Sequence, residues 1–175
     1  ISSLKGPKHG GANIKVMEMV HDIKKHVANI NNEGQVKDYL IKIIKKEAND
    51  NSGLIYGMGH AIYTLSDPRA VQIKKMAQDL AQDGDLYNEF CLLNTIEKLT
   101  PDLMAEYKGI NKAMCANVDL YSGLVYTALG VPEDLLTPIF ATARISGWCA
   151  HRLEELTTGG RIMRPAYKAV WKDQP

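Results

Sequence analysis

The residue types best suited to chemistry are concentrated in residues 53–70, which read GLIYGMGHAIYTLSDPRA. Two glycines in this stretch, Gly57 and Gly59, give the backbone access to left-handed and close-approach conformations that other residues rarely adopt. His60 follows them directly, so its imidazole ring extends from a loop with an unusual backbone. The pattern favours a loop that presents a His60 ring nitrogen to a ligand.

An arginine is fixed close to this loop. Ser66 or Asp67 can cap the helix that follows, and Pro68 suits its first turn. Arg69 then lies inside that turn, and the glycine loop, the histidine and the arginine together predict a site for a small anion. Arg69 and Arg144 both follow small or apolar residues in helices expected to be largely buried. They are either buried ion-pair partners or a carboxylate clamp, because the guanidinium fork matches carboxylate geometry.

Two further candidates lie outside this stretch. His9 is in a second glycine-rich loop, and Asp119 lies beside the apolar stripe of a helix predicted for residues 111–129. A carboxylate in that position is costly to bury unless it has a partner or a function. Ser122 and Gly123 share its small or polar face, which indicates that another group can approach Asp119 closely. The residues alone leave a structural role open for each candidate.

Other kinds of site are less well supported. His9, His60 and Asp119 could be three metal ligands, but no short-spaced ligand pair such as H-E-x-x-H accompanies them. The pair Gly57-x-Gly59 lacks both the third glycine and the preceding strand of a dinucleotide-binding fingerprint, and no P-loop ending is present. The sequence therefore argues against a metal site and excludes a dinucleotide-binding fingerprint and a P-loop.

Composition limits the class of protein. The chain has 175 residues, is 45% hydrophobic and has a net charge of +1, which suits one domain, or one domain with a piece of another, and argues against broad electrostatic binding of nucleic acid or membrane. Three widely spaced cysteines without a C-x-x-C pair indicate reduced thiols in an intracellular, cytoplasmic protein. Because the first residue is Ile1, we expect a fragment whose targeting segment, if it has one, would lie upstream.

Apolar residues recur at helical spacing along most of the chain, and no segment alternates with the period of a strand. The sequence therefore predicts an all-α fold. Helices are expected from Ile14 to about Ile30, from Val36 to Ile44, from Ile73 to Leu80, from Leu86 to Thr100, over 111–129 and over 133–158, with a short turn at 102–108.

Four stretches together resemble one family. They read LKGPKHGGAN at 4–13, YGMGHAIYTLSDPRA at 56–70, NVDLYSGLVYTALG at 117–130 and PIFATARISGWCAHRLEE at 138–155. In this order and at this spacing, they resemble the C-terminal part of citrate synthase, which is an all-α protein. The resemblance implies the end of the large domain at 1–10, the small helical domain at 11–134, and a return to the large domain at 135–175.

The resemblance also implies a reaction, in which acetyl-CoA and oxaloacetate condense to citryl-CoA, which is hydrolysed to citrate and CoA. In the family pattern Asp119 matches the base that removes a proton from the acetyl methyl group. His9 matches the residue that donates a hydrogen bond to the thioester oxygen, and His60 matches the residue that polarises the oxaloacetate ketone. Acetyl-CoA is a substrate in this scheme, so no cofactor is implied.

The remaining family positions concern substrate binding and assembly. Arg69 and Arg144 match residues that bind carboxylates of oxaloacetate and citrate. Arg164, in the terminal arginine-proline pair, matches an arginine lent to the neighbouring subunit, which implies a homodimer. The CoA-binding segment of the family falls on Ile55, Tyr56, Gly57, Met58 and Gly59.

The sequence departs from the family pattern just after the loop histidine. Family members commonly carry a basic residue for the CoA phosphate there, whereas this chain has Ala61 and Thr64. We also expect the fragment alone to be inactive, because the upstream large domain supplies another oxaloacetate-binding histidine. The motifs leave 2-methylcitrate synthase, which uses propionyl-CoA, open as an alternative, and a non-catalytic helical interaction module is a further one.

Overall fold

The computed structural model describes residues 11–160, and all the regular elements in that range are helical. The predicted all-α fold is therefore confirmed. The chain forms two compact units, Ile1–Ala141 and Thr142–Pro175. The helices are α1 (Ala12–His26), α2 (Glu33–Ile44), α3 (Pro68–Leu80), α4 (Gly84–Lys108), α5 (Asp119–Ala128) and α6 (Leu136–Thr158), with a 3-10 turn at Glu133–Leu135.

The core of the first unit is built from the apolar stripes of its helices. Helix α5 packs against α1, α3 and α4, while α2 packs against α4. Full burial of a Leu or Ile side chain contributes roughly 1.5–3 kcal/mol, so the burial of these stripes favours the association of the helices. Fully buried members include Val20, Ile23, Leu40, Ile43, Leu92, Leu93, Ile96, Leu103, Leu120 and Leu124.

The prediction that a helix ends at Thr100 is wrong. Helix α4 continues through Pro101 to Lys108, although proline lacks the N–H that a helix interior uses. The Thr100 hydroxyl donates to the Ile96 carbonyl at 2.6 Å, and Leu103 beyond the proline is buried in the core. Tertiary packing therefore overrides the local signal at Pro101.

The prediction of a helix from residue 111 is also wrong, because residues 111–118 precede the start of α5. The backbone of this segment pairs instead with the glycine loop. The Gly59 N–H donates to the Cys115 carbonyl at 2.8 Å, and the Asn117 N–H donates to the Gly57 carbonyl at 2.9 Å. These backbone groups are thus committed to the loop, which leaves the helix to begin after them.

Helix α1 occupies the small-residue face of α5. A Cβ atom built on Gly123 would lie 2.3 Å from the Met17 sulfur, so a larger residue there would displace the Met17 side chain. At the other end His21 lies 3.4 Å from Glu133, which follows α5. These two contacts hold α1 against α5 and the turn that follows it. The group that approaches this face is therefore another helix of the same unit.

Most of helix α6 belongs to the second unit. Arg144 is exposed there, whereas the sequence predicted a largely buried helix around it. A Cβ atom on Gly147 would likewise meet no atom within 4 Å. Between residues 11 and 160 no helix is both long and apolar enough to cross a membrane.

Candidate active site

The glycine loop is pressed against the first turn of α5. Gly57 has a φ of +82°, and a Cβ atom there would lie 2.8 Å from the Leu120 Cα. Both the backbone conformation and the close approach therefore require glycine. Ile55 anchors the start of the loop in the core, where it is 5% exposed. The sequence-based prediction of an unusual backbone at Gly57 is confirmed.

The ring of His60 is oriented by the backbone that follows it. Its Nδ1 atom faces the N–H groups of Ile62 and Tyr63, at 3.0 and 3.1 Å. Because a backbone N–H can only donate, Nδ1 is an acceptor and carries no proton. The neutral ring therefore carries its proton on Nε2, the tautomer that these hydrogen bonds assign. The loop thus presents an N–H donor rather than an acceptor.

Arg69 is held by a buried carboxylate. Asp67 caps α3 by accepting from the Arg69 backbone N–H at 3.0 Å, and it binds the guanidinium through Nε at 3.0 Å and Nη2 at 2.8 Å. Hydrogen bonds from Arg69 lower the pKa of Asp67, and the same contacts raise the pKa of Arg69. The Arg69 side chain is 54% exposed, so the expectation that it lies largely inside is wrong. The buried Asp67 carboxylate therefore fixes the orientation of the exposed Arg69 guanidinium.

The two donors converge on one point. Nη2 of Arg69 lies 3.1 Å from Nε2 of His60, and in the tautomer assigned above both atoms carry hydrogen. Two donors that face each other are poorly satisfied until an acceptor lies beside them and accepts from both. The Tyr63 ring contacts both groups, with its centroid 4.9 Å from the His60 ring and 5.7 Å from the guanidinium carbon. The arrangement suits a ligand with carbonyl and carboxylate oxygens.

One side chain connects this loop to Asp119. The Asn117 amide donates to the Gly59 carbonyl at 2.9 Å and accepts from the Asp119 N–H at 2.9 Å. Asp119 therefore begins α5 next to the loop that carries His60, and its charge contributes to the raised pKa of Arg69. Sequence reasoning missed Asn117 as a site residue, although the NVD motif contained it. The available signal was that an asparagine two residues before Asp119 can accept a hydrogen bond from the Asp119 backbone N–H.

The other predicted site residues lie in the glycine loop, in the second unit or outside the described residues. Tyr56 is half-buried, and its hydroxyl donates to Asp50 at 2.6 Å. Met58 pairs with Ala116 as an isolated bridge. Arg144 belongs to the second unit and stays a prediction. His9 and Arg164 lie outside the described residues.

The potential metal-binding side chains of residues 11–160 do not form a cluster. In this range no group of three or more His, Cys, Asp and Glu side chains is arranged to hold a metal ion. Cys91, Cys115 and Cys149 are free thiols. The chemistry that this part of the chain offers is therefore that of hydrogen-bond donors, a guanidinium and carboxylates.

Several known proteins are similar in sequence to this chain. The family model for the citrate synthase C-terminal domain matches residues 1–166. The chain is 42% identical over 167 residues to citrate synthase from Acidithiobacillus ferridurans, covering 94% of this chain and 39% of that protein. It is 39% identical over 170 residues to 2-methylcitrate synthase from Shewanella oneidensis, covering 95% of this chain and 39% of that protein. The chain thus spans about two fifths of the length of these relatives.

Solved structures agree with this assignment. Citrate synthase from Thermotoga maritima superposes with a TM-score of 0.69 at 32% identity, over 99% of this chain and 42% of that one. A ternary complex of the Thermoplasma acidophilum citrate synthase with carboxymethyl coenzyme A and oxaloacetate gives a TM-score of 0.70 at 25% identity, again over 99% and 42%. The family-model match covers most of the chain, the relatives share about two fifths of its residues, and the fold is the same. The chain belongs to the citrate synthase family and corresponds to its C-terminal domain.

Proposed function

We propose that this chain carries part of the active site of a citrate synthase, which condenses acetyl-CoA with oxaloacetate to citryl-CoA and hydrolyses that product to citrate and CoA. The single observation that supports this most is the convergence of His60 and Arg69 beside the start of α5, where Asn117 joins the loop to Asp119. The similar Thermoplasma protein binds oxaloacetate together with a CoA analogue.

In the proposed reaction the exposed Arg69 guanidinium binds a carboxylate of oxaloacetate, and the Nε2–H of His60 donates to its ketone oxygen. Asp119 removes a proton from the acetyl methyl group, as a positioned general base that contributes roughly 10²–10⁴-fold. The enol carbon then forms a bond to the ketone carbon, and the ketone oxygen takes up a proton. Water finally cleaves the thioester of citryl-CoA.

Other parts of the proposal concern groups beyond this convergence. We assign His9 as the donor to the thioester oxygen, and Arg144 and Arg164 as further carboxylate ligands, with Arg164 acting in the neighbouring subunit of a homodimer. The CoA moiety is assigned to the segment 55–59, whose backbone lies against Leu120. The free thiols suit a reducing compartment, and we propose a cytoplasmic enzyme.

The test uses the full-length protein that carries this sequence. We expect it to consume acetyl-CoA and oxaloacetate, and we expect Asp119→Ala to lower kcat by roughly 10²–10⁴-fold, the contribution of a general base. Asp79→Ala, an exposed aspartate on α3, is the matched control and should retain activity. Wild-type turnover by the Asp119 variant would contradict the assignment. Chelators should have no effect on the rate, and the isolated 175-residue chain should be inactive.

A second candidate is 2-methylcitrate synthase. It is favoured by the Shewanella relative, whose identity of 39% is close to that of the citrate synthases. The two activities differ by one methyl group on the acyl chain, and such a group is worth only about 1–3 kcal/mol in an apolar pocket. Comparison of kcat/KM for acetyl-CoA and propionyl-CoA on the full-length protein decides between them.

A further inference from the structure

A polar cluster that the proposed mechanism does not use joins three helices of the first unit. The Glu97 carboxylate on α4 accepts from the Lys74 ammonium on α3 at 2.7 Å and from the Tyr121 hydroxyl on α5 at 2.5 Å. The same hydroxyl lies 3.0 Å from the Asn94 side-chain oxygen, and Lys74 lies 5.4 Å above the Tyr121 ring. Glu97 therefore binds both Lys74 and Tyr121, which also contact each other.

The cluster lies close to the proposed site along both α3 and α5. Lys74 lies five residues after Arg69 on α3, and Tyr121 lies two residues after Asp119 on α5. Each helix therefore presents a proposed site residue in its first turn and a partner of Glu97 shortly after. Because helices are stiff over one or two turns, the spacing of the two partners at Glu97 is transmitted to the spacing of the two site residues.

A small cavity lies between the cluster and the site. Its volume is about 60 Å³, and its lining includes Asp67, Lys74, Glu97 and Cys115. The Cys115 thiol also donates to the Tyr63 carbonyl at 3.5 Å. The cluster thus lies directly behind the loop and the helix cap that present His60 and Arg69, rather than in a remote part of the core.

Chemistry distinguishes this cluster from ordinary packing. Tyr121 is 1% exposed, and burial, followed by the hydrogen bond to Glu97, raises its pKa. It therefore stays a neutral donor, and Glu97 stays an acceptor with a fixed direction toward it. The Lys74 and Glu97 side chains are 37% and 30% exposed, so their ion pair contributes little to the free energy of unfolding. What the polar groups add is a defined mutual orientation of the helices.

We propose that Glu97 is a positioning residue, which sets the separation of Arg69 and Asp119 by holding Lys74 and Tyr121 together. This inference rests on the proposed function, because those two residues are assigned there to the two different substrates. A displacement of about 1 Å between reacting groups can cost roughly 10²-fold in rate. Loss of the cluster should therefore impair the reaction of the two substrates more than the binding of either one.

The experiment compares Glu97→Gln and Glu97→Leu with wild type in the full-length protein. We expect kcat per folded molecule to fall at least roughly tenfold, in line with the cost of misplacement. The dissociation constants of oxaloacetate and of CoA, measured separately by calorimetry, should change by less than about threefold. Lys74→Arg preserves the ion pair and should retain most of the activity. Glu33→Gln removes an exposed ion pair with Lys98 between α2 and α4 and is the matched control.

The results of this experiment distinguish a failure of the inference about Glu97 from a failure of the proposed function. Glu97 variants with a lower melting temperature but wild-type kcat per folded molecule would show a structural role only and would overturn this inference. So would additive losses in Glu97→Gln combined with Tyr121→Phe, since partners in one cluster should couple. Both results leave the proposed function intact, because wild type and Glu33→Gln remain active. An inactive wild-type enzyme would instead overturn the proposed function and this inference with it.

Discussion

Both carboxylate oxygens of Asp67 are bonded to Arg69, Oδ1 to the backbone N–H and Nε at 3.0 Å each and Oδ2 to Nη2 at 2.8 Å. The Asp67 side chain is fully buried, whereas that of Arg69 is half-exposed. A buried acid therefore determines where an exposed guanidinium points. The helix cap and the proposed carboxylate ligand are thus parts of one local unit.

Asp67→Asn tests this arrangement, because the amide keeps one oxygen for the cap but turns an N–H group toward the guanidinium. In the full-length protein we expect KM for oxaloacetate to rise on the order of tenfold, the effect of losing about one charged hydrogen bond, with little change in KM for acetyl-CoA. Steady-state kinetics with each substrate varied in turn measure this. An equal change in both KM values would indicate general loss of structure instead.

The contact between Gly57 and Leu120 leads to a stability prediction. Gly57→Ala must place a Cβ atom 2.8 Å from the Leu120 Cα at a φ of +82°, so it combines overpacking with an unfavourable backbone conformation. We expect a loss of about 1–3 kcal/mol from the overpacking alone. Gly130→Ala is the control, since its φ is +73° but no atom lies within 4 Å. Urea unfolding should show a larger loss for Gly57→Ala, and equal losses would contradict the close approach.

Some features of the candidate site were predictable from the sequence, and others were not. The unusual backbone at Gly57 and the cap at Asp67 were predictable, because both depend on residues within a few positions of each other. The link from Gly59 to Asn117 was not, since it joins segments that are 58 residues apart. The late start of α5 has the same cause. Local patterns report the periodicity of a segment but not the distant backbone groups that its N–H and C=O groups meet.

Tyr39 gives a prediction at alkaline pH. Its hydroxyl donates to Asp22 at 2.7 Å, and burial, together with that hydrogen bond, raises the pKa of Tyr39 to about 12. A folded-state pKa above the unfolded value of about 10 means that this stabilisation is complete below pH 10 and is lost as pH rises through 12. In Tyr39→Phe this part of the alkaline loss should be missing.

Thermal melts at pH 8 and pH 11 measure the effect. The melting temperature of wild type should fall more between these values than that of Tyr39→Phe, because only wild type must keep this phenol protonated. Tyr87→Phe replaces a tyrosine that is 49% exposed, and it should behave like wild type. The same decrease in Tyr39→Phe and in wild type would rule out a raised pKa at this residue.

Pro101 in the middle of α4 leads to the last prediction. A proline within a helix costs about 3 kcal/mol, since it lacks an N–H group and crowds the carbonyl four residues earlier, here that of Glu97. Alanine restores that hydrogen bond but makes the unfolded chain more flexible, which opposes the gain by about 0.4–1 kcal/mol. We therefore expect Pro101→Ala to raise the free energy of unfolding by roughly 2–2.6 kcal/mol, the difference of these effects.

Pro68→Ala is the matched control, because Pro68 occupies the first turn of α3, where the missing N–H has no partner in the helix. There only the flexibility of the unfolded chain changes, so this variant should be slightly less stable than wild type. Urea unfolding of the two variants should thus give shifts of opposite sign. A loss of stability in Pro101→Ala would mean that the proline ring itself is required, since the neighbouring Thr100 hydroxyl already binds the Ile96 carbonyl at 2.6 Å and the packing of Leu103 would be retained.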